Sequence, residues 1–231
     1  VWAHFFGLGI VEPVDDIRVS NPASNPELFQ ALGAKLTSYN YDFKQLVRDV
    51  CNSQAYQRTS QANPSNEDDL KNFSHAKIRR IPAENLLDCL TQVTEIQEKF
   101  QGLPLGSRAV QIADGQSNSY FLSSFGRSLR TTACAAEATT EPTLSQALHM
   151  INGDTLTRKI GESKRLQAQL DAGQKPAQVV ESIYIACLSR KPSPEEMSKL
   201  EALLTAEPNA RIAVDDILWA VLNSREFLFN H

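Results

Sequence analysis

Helix punctuation recurs along this chain, and that feature most restricts what it can fold into. Ser24-Asn25-Pro26-Glu27 offers a cap, a proline suited to a first turn and an acid for the positive helix end. Leu28, Phe29, Leu32 and Leu36 follow at helical spacing, predicting a helix to about Ser38. Ser193-Pro194-Glu195-Glu196 is a capping box leading into Met197, Leu200, Leu203 and Leu204. Between Glu141-Pro142 and the stop at Asn152-Gly153, Leu144, Ala147, Leu148 and Ile151 share one apolar face. Further helices are expected over 42–53, from Pro82 through Asp88, over 155–170, over 176–188 and over 214–224. The second of the two longer C-terminal segments, 176–188, is the more apolar and is expected to be buried. The aromatic end Phe227-Leu228-Phe229 is expected to dock on the core. Such a chain folds as a mainly α, irregular multi-helix bundle.

The helical period fades between Gly102 and about Glu141, where glycines and Pro104 interrupt a polar text. The reading there is a long loop-rich insertion with room for one short strand or hairpin, for which the alternation Ala109-Val110-Gln111-Ile112 is the signal. A loop of this length in a compact domain is often functional. Residues 1–153 then form a helical domain carrying the insertion at about 102–141, and 154–231 a helical module packed on it as one structural unit.

Of 231 residues, 42% are hydrophobic and 22% charged, enough to bury a substantial core. The net charge of -4 argues against nucleic acid and anionic lipid, which need clustered Lys and Arg. No apolar run approaches the roughly 20 residues of a membrane span, so a soluble chain is expected. The start in Val1-Trp2-Ala3, without an initiating Met, reads as a cut from a longer polypeptide.

No nucleotide loop, nucleophile elbow or metal-ligand spacing is present in the sequence, and the histidines at 4, 75, 149 and 231 are isolated. Cys51, Cys89 and Cys187 sit in apolar helical text and read as buried thiols, whereas Cys134 is a loop thiol. Four cysteines allow three full pairings, and the text does not choose among them. Glu67-Asp68-Asp69 lacks the spaced ligands and glycine of a calcium loop and reads as a solvated turn. The oxygen-rich run 114–119 is a weaker cation candidate. Arg80, Glu84 and Asp88 lie four apart and would form a salt-bridge ladder if the turn around Arg80 is helical. Candidate site residues are Glu137, Glu141, His149 and Arg127, which flank the loop and the helix after it. His149 lies off the apolar stripe, either at the surface or facing that loop.

Several local strings then carry a resemblance. Trp2-Ala3-His4-Phe5-Phe6-Gly7, Val11-Glu12-Pro13-Val14-Asp15-Asp16, Asn21-Pro22 and Asn25-Pro26-Glu27-Leu28 resemble the opening of domain-of-unknown-function family 1553. Ser53-Gln54-Ala55-Tyr56, Arg79-Arg80, Ala83-Glu84, Phe125-Gly126-Arg127, Glu141-Pro142-Thr143-Leu144 and Leu222 through His231 continue it in order. The resemblance implies the C-terminal part of a large, exported, planctomycete-type protein, periplasmic or at the cell surface, often with a c-type cytochrome domain upstream. Where the family often carries a Cys-x-Cys-Glu-Arg-like segment, this chain has Cys134-Ala135-Ala136-Glu137-Ala138, which argues against two-thiol chemistry. No Cys-x-x-Cys-His occurs, so no cofactor is expected in this chain and any haem c belongs to a neighbouring domain.

Two functions are weighed. The first is a non-catalytic interaction or scaffolding domain that contacts other domains of its parent protein or a larger assembly, a cytochrome included. The alternative is an enzyme domain acting on extracellular carbohydrate or another polymer, with Glu137 and Glu141 as paired carboxylates and Arg127 or His149 assisting.

Overall fold

A computed structural model describes residues 1–69, 71–113, 115, 117–129 and 143–230 of the chain. Its architecture is mainly α, as the punctuation predicts. The expectations for Cys134, Glu137, Glu141 and Pro142 lie outside the described residues. The chain forms two compact units, residues 1–79 and 80–230.

In the first unit, α1 (Trp2–Phe6), α2 (Pro26–Ser38) and α3 (Phe43–Cys51) are the helices. Asn25 accepts from the Leu28 amide at 3.0 Å to start α2, and Asp42 accepts from Lys44 and Gln45 amides to start α3. Of the expected α3 stripe, Leu46 and Val50 are buried and Phe43 is exposed; α2 buries no residue fully. The apolar start is itself a short helix: Trp2 stacks on Phe6 at 4.0 Å between ring centroids, and Phe73 meets both rings edge-on. Gly7 ends α1 at φ 71°, where a Cβ would come within 2.5 Å of the Arg79 side chain. That close approach lets the Arg79 guanidinium donate to the His4 and Phe5 carbonyls, orphan acceptors at the helix end. The acid run 67–69 is a turn rather than a calcium loop. Asp69 accepts from the Lys71, Asn72 and Ser74 amides, and the Ser74 side chain together with these amides holds its carboxyl well below the ordinary range.

The second unit enters through a two-residue strand, β1 (Arg79–Arg80), which pairs with β2 (Phe229–Asn230). Its helices are α4 (Ala83–Thr94), α5 (Tyr120–Ser124), α6 (Leu144–Asn152), α7 (Asp154–Glu162), α8 (Arg165–Asp171), α9 (Pro176–Leu188), α10 (Pro194–Ala206), α11 (Ala210–Leu222) and α12 (Arg225–Leu228). Leu86, Leu87 and Leu90 of α4, Leu122 of α5, Leu156 of α7, Val179, Val180 and Ile183 of α9, and Val214, Leu218 and Leu222 of α11 make the solvent-free centre. Each such side chain contributes roughly 1.5–3 kcal/mol by leaving water. Phe227 is buried at the C-terminal end, so the aromatic tail does dock on this core.

Three local expectations are corrected, and the apolar face of α6 is found away from the core. Ala109-Val110-Gln111 is a 3₁₀ turn, not a strand, because Asp88 accepts from the Ala109 amide at 2.6 Å and pins the turn to α4. The expected helix over 155–170 breaks at Ser163 and Lys164. Arg211 reaches across from α11 and donates to the Ile160 and Ser163 carbonyls, satisfying the end of α7. The ladder Arg80, Glu84, Asp88 does not form. Pro82 precedes α4, Arg80 is in the strand, Glu84 pairs with Arg127 and Asp88 with Arg108. Finally, α6 buries Gln146 and Met150 and leaves Leu144, Leu148 and Ile151 exposed, so its apolar stripe does not face the core.

The three described cysteines are free thiols, all half-buried. Cys89 and Cys187 pack against the core. Burial raises both thiol pKa values, that of Cys187 to about 12.

Candidate functional site

Arg127 follows the short helix α5 in the chain, and His149 packs against the aromatic rings of that helix. The turn at Gly126 (φ 76°) carries Arg127 inward, where Nη1 donates to the Gly115 carbonyl at 2.7 Å and Nη2 to that of Ile112 at 3.1 Å. Its Nε lies 3.2 Å from Glu84 Oε1. These contacts fasten the loop after α4 to α4 itself. His149 is half-buried among the rings of Tyr120, Phe121 and Phe125, with Nε2 3.1 Å from Thr155 Oγ1. Burial holds its imidazole below the ordinary pKa, with Asp154 opposing weakly. Arg80, which the sequence placed in a ladder, joins this neighbourhood. It donates to the Phe125 carbonyl at 2.7 Å and lies over the Phe125 ring at 5.6 Å. Gln146 donates to the Ser124 carbonyl at 3.1 Å. The described contacts of Arg80, Gln146 and His149 hold α5 and the turn that ends it, while Arg127 ties the loop before α5 to α4. Glu137 and Glu141 lie outside the described residues.

A second place is more open. Between α9, α10 and α11 lies a cleft of about 410 Å³, in the range of binding pockets. Leu188 of α9, Leu200, Leu203 and Ala206 of α10, and Ala213, Ile217, Ala220 and Val221 of α11 give it an apolar floor. The helical period explains the set, since 213, 217, 220 and 221 fall on one face of α11 and 196, 200 and 203 on one face of α10, with Glu207 just past its end. Among the described residues α10 has no fully buried side chain, and Leu203 remains 57% exposed. The small side chains of Ala206, Ala213 and Ala220 leave the space that larger ones would fill.

The polar side of this cleft is acidic: Glu196, Glu207, Asp216 and Glu226 line it, with no Lys or Arg among the lining residues. Two of the four share one guanidinium. Arg190 grips Glu196 through Nη1 and Nη2 at 2.7 and 2.9 Å, and Glu226 through Nε and Nη2 at 2.6 and 2.7 Å. Its guanidinium lies 5.5 Å from the Tyr184 ring centroid. The Arg190 bonds, followed by the Ser193 amide, hold the Glu196 carboxyl down at about 2. The clamp therefore joins the end of α9, the start of α10 and α12. Among the described residues no ion pair is made by Glu207 or Asp216, so the open side of the cleft keeps negative charge. Sequence reading missed this site because every residue in it reads as ordinary helix core. The signal in the text was Leu200, Leu203 and Leu204 beside alanines in the facing helix.

Among the described residues no group of three or more His, Cys, Asp and Glu is placed to hold a metal ion. No described helix is long and apolar enough to cross a membrane. The arrangement around the cleft suits binding of an apolar surface bordered by positive charge. No curated protein and no solved structure matches the chain. The family model described as PSD1, Protein of unknown function (DUF1553), matches residues 1–204, and the chain accordingly belongs to the DUF1553 family.

Proposed function

We propose that the chain is a non-catalytic interaction or scaffolding domain of a larger exported protein or assembly that includes a c-type cytochrome domain. The observation that carries this reading is the cleft between α9, α10 and α11, where apolar side chains stay partly open while two of the four lining carboxylates, Glu196 and Glu226, are held by Arg190. A surface of that kind gains free energy by covering apolar area, and rigid walls reduce the ordering cost of association. The resemblance read from the sequence supplies the exported location, periplasmic or at the cell surface, and the cytochrome as companion.

The test is purification of the intact parent protein from its native source, with mass spectrometry and haem absorbance read on the same material. Stable recovery with a cytochrome or another fixed protein partner is expected. Recovery as a haem-free, partnerless species that turns over a defined polymer would overturn the reading.

A further inference from the structure

Resting on the interaction-domain reading, we infer that the cleft between α9, α10 and α11 takes one kind of occupant: a helical protein segment whose apolar stripe is flanked by Lys or Arg. Three observations select it. The floor runs along α10 and α11, each 13 residues, or about 20 Å at 1.5 Å per residue, which is the length of a short helix. Leu200, Leu203, Ile217 and Ala220 present the alternating ridges and small-residue gaps into which side chains at i, i+3, i+4 and i+7 fit. The charge is one-signed: Glu207 and Asp216 lie at the lining without ion-pair partners among the described residues. Residues 176–230 carry eight Asp and Glu against five Lys and Arg. An acidic helix would meet like charge there, and a purely apolar one would leave both carboxylates to be desolvated without compensation.

The Arg190 clamp has a separate part in this. By holding Glu196 and Glu226 on one guanidinium it fixes the α9, α10 and α12 end of the cleft and leaves that pair a single net negative charge, while Glu207 and Asp216 each keep their own. The negative charge is therefore weighted toward Glu207 and Asp216, so the basic flank of the segment lies on the side of the cleft that holds Glu207, just past α10.

The experiment is selection of a displayed library of helical peptides, about 14 residues long to match the cleft, against the full chain. Charge at the flanking positions is randomised, and the selected peptides are then measured by fluorescence anisotropy. Enrichment of Lys and Arg beside an apolar stripe is expected. Affinity should fall roughly tenfold or more in Ala220→Trp, which fills the cleft from an exposed position, and in Glu207→Lys/Asp216→Lys. Circular dichroism checks that both variants keep their helices. Selected peptides without basic flanks, no selectable binders at all, or binders indifferent to Ala220→Trp would overturn the inference. In the last case binding at another surface would persist, so the interaction-domain reading would stand while the cleft assignment falls.

Discussion

At the residue scale, the most consequential side chain is Lys159, which is fully buried. Its ammonium lies 2.7 Å from Glu98 Oε1 and donates to Thr91 Oγ1 at 3.0 Å and the Ile96 carbonyl at 2.8 Å. Burial pulls its pKa below the ordinary value, against the attraction of Glu98. A buried pair of this kind is weak as a source of net stability but costly to break from one side. Lys159→Ala is expected to cost about 3–5 kcal/mol in urea unfolding. Lys159→Met with Glu98→Gln should recover part of that loss. A change under about 1 kcal/mol for the single variant would show that the ammonium is not sealed from water. Cys187 gives a chemical counterpart. With its thiol pushed up to about 12, very little thiolate exists at pH 8, so a thiol reagent should leave Cys187 unmodified in the folded chain and label it on unfolding. Prompt native labelling of Cys187, read by mass spectrometry, would contradict its placement. The shielding of Cys187 was legible from its apolar helical text, whereas the burial of Lys159 was not. Lys159 sits in a charged amphipathic run that looks solvent-facing, and only the fold brings Thr91, Ile96 and Glu98 around it.

At the element scale, helix starts were legible because capping is local. Ser193 accepts from the Glu196 amide as the box predicts, Asn25 and Asp42 cap α2 and α3, and α9 runs from Pro176 to Leu188 as the text indicates. Breaks imposed by a distant side chain were not legible, as Arg211 at the end of α7 shows. Which face turns inward was equally hidden for α6, since period alone does not tell a core stripe from an uncovered one. The α6 orientation makes a sharp contrast. Met150→Ala should cost about 2–5 kcal/mol and Leu148→Lys stay within about 0.5 kcal/mol. Thermal unfolding of the two variants checks this, and the reverse order would place the Leu stripe inside. The α9, α10, α12 clamp makes a pH prediction. Glu196 falls from the ordinary 4.5 to about 2 in the fold, so its contribution is complete above 4.5 and disappears as pH drops toward 2. The Tm difference between the wild type and Glu196→Gln should therefore be present at pH 6 and vanish near pH 2. A difference independent of pH would mean that charge pairing is not its source.

At the scale of the whole molecule, the helical class followed from composition and punctuation, while the cleft did not. Its lining is drawn from α9, α10, α11 and the start of α12 at Ser224 and Glu226, and the family match ends at residue 204, within α10. No local pattern announces a space between helices, because the gap is a property of which small residues face which large ones. Of the candidate residues chosen from the text, Arg127 instead ties the loop before α5 to α4, and His149 packs against the rings of α5. The central claim is that the α10 and α11 faces of this cleft are covered in the assembled protein. Hydrogen exchange of the isolated chain and of the chain within its native assembly, read peptide by peptide, tests it most directly. Slower exchange confined mainly to 194–222 in the assembly is the predicted result. Unchanged exchange across 194–222, with protection appearing elsewhere or nowhere, would contradict it.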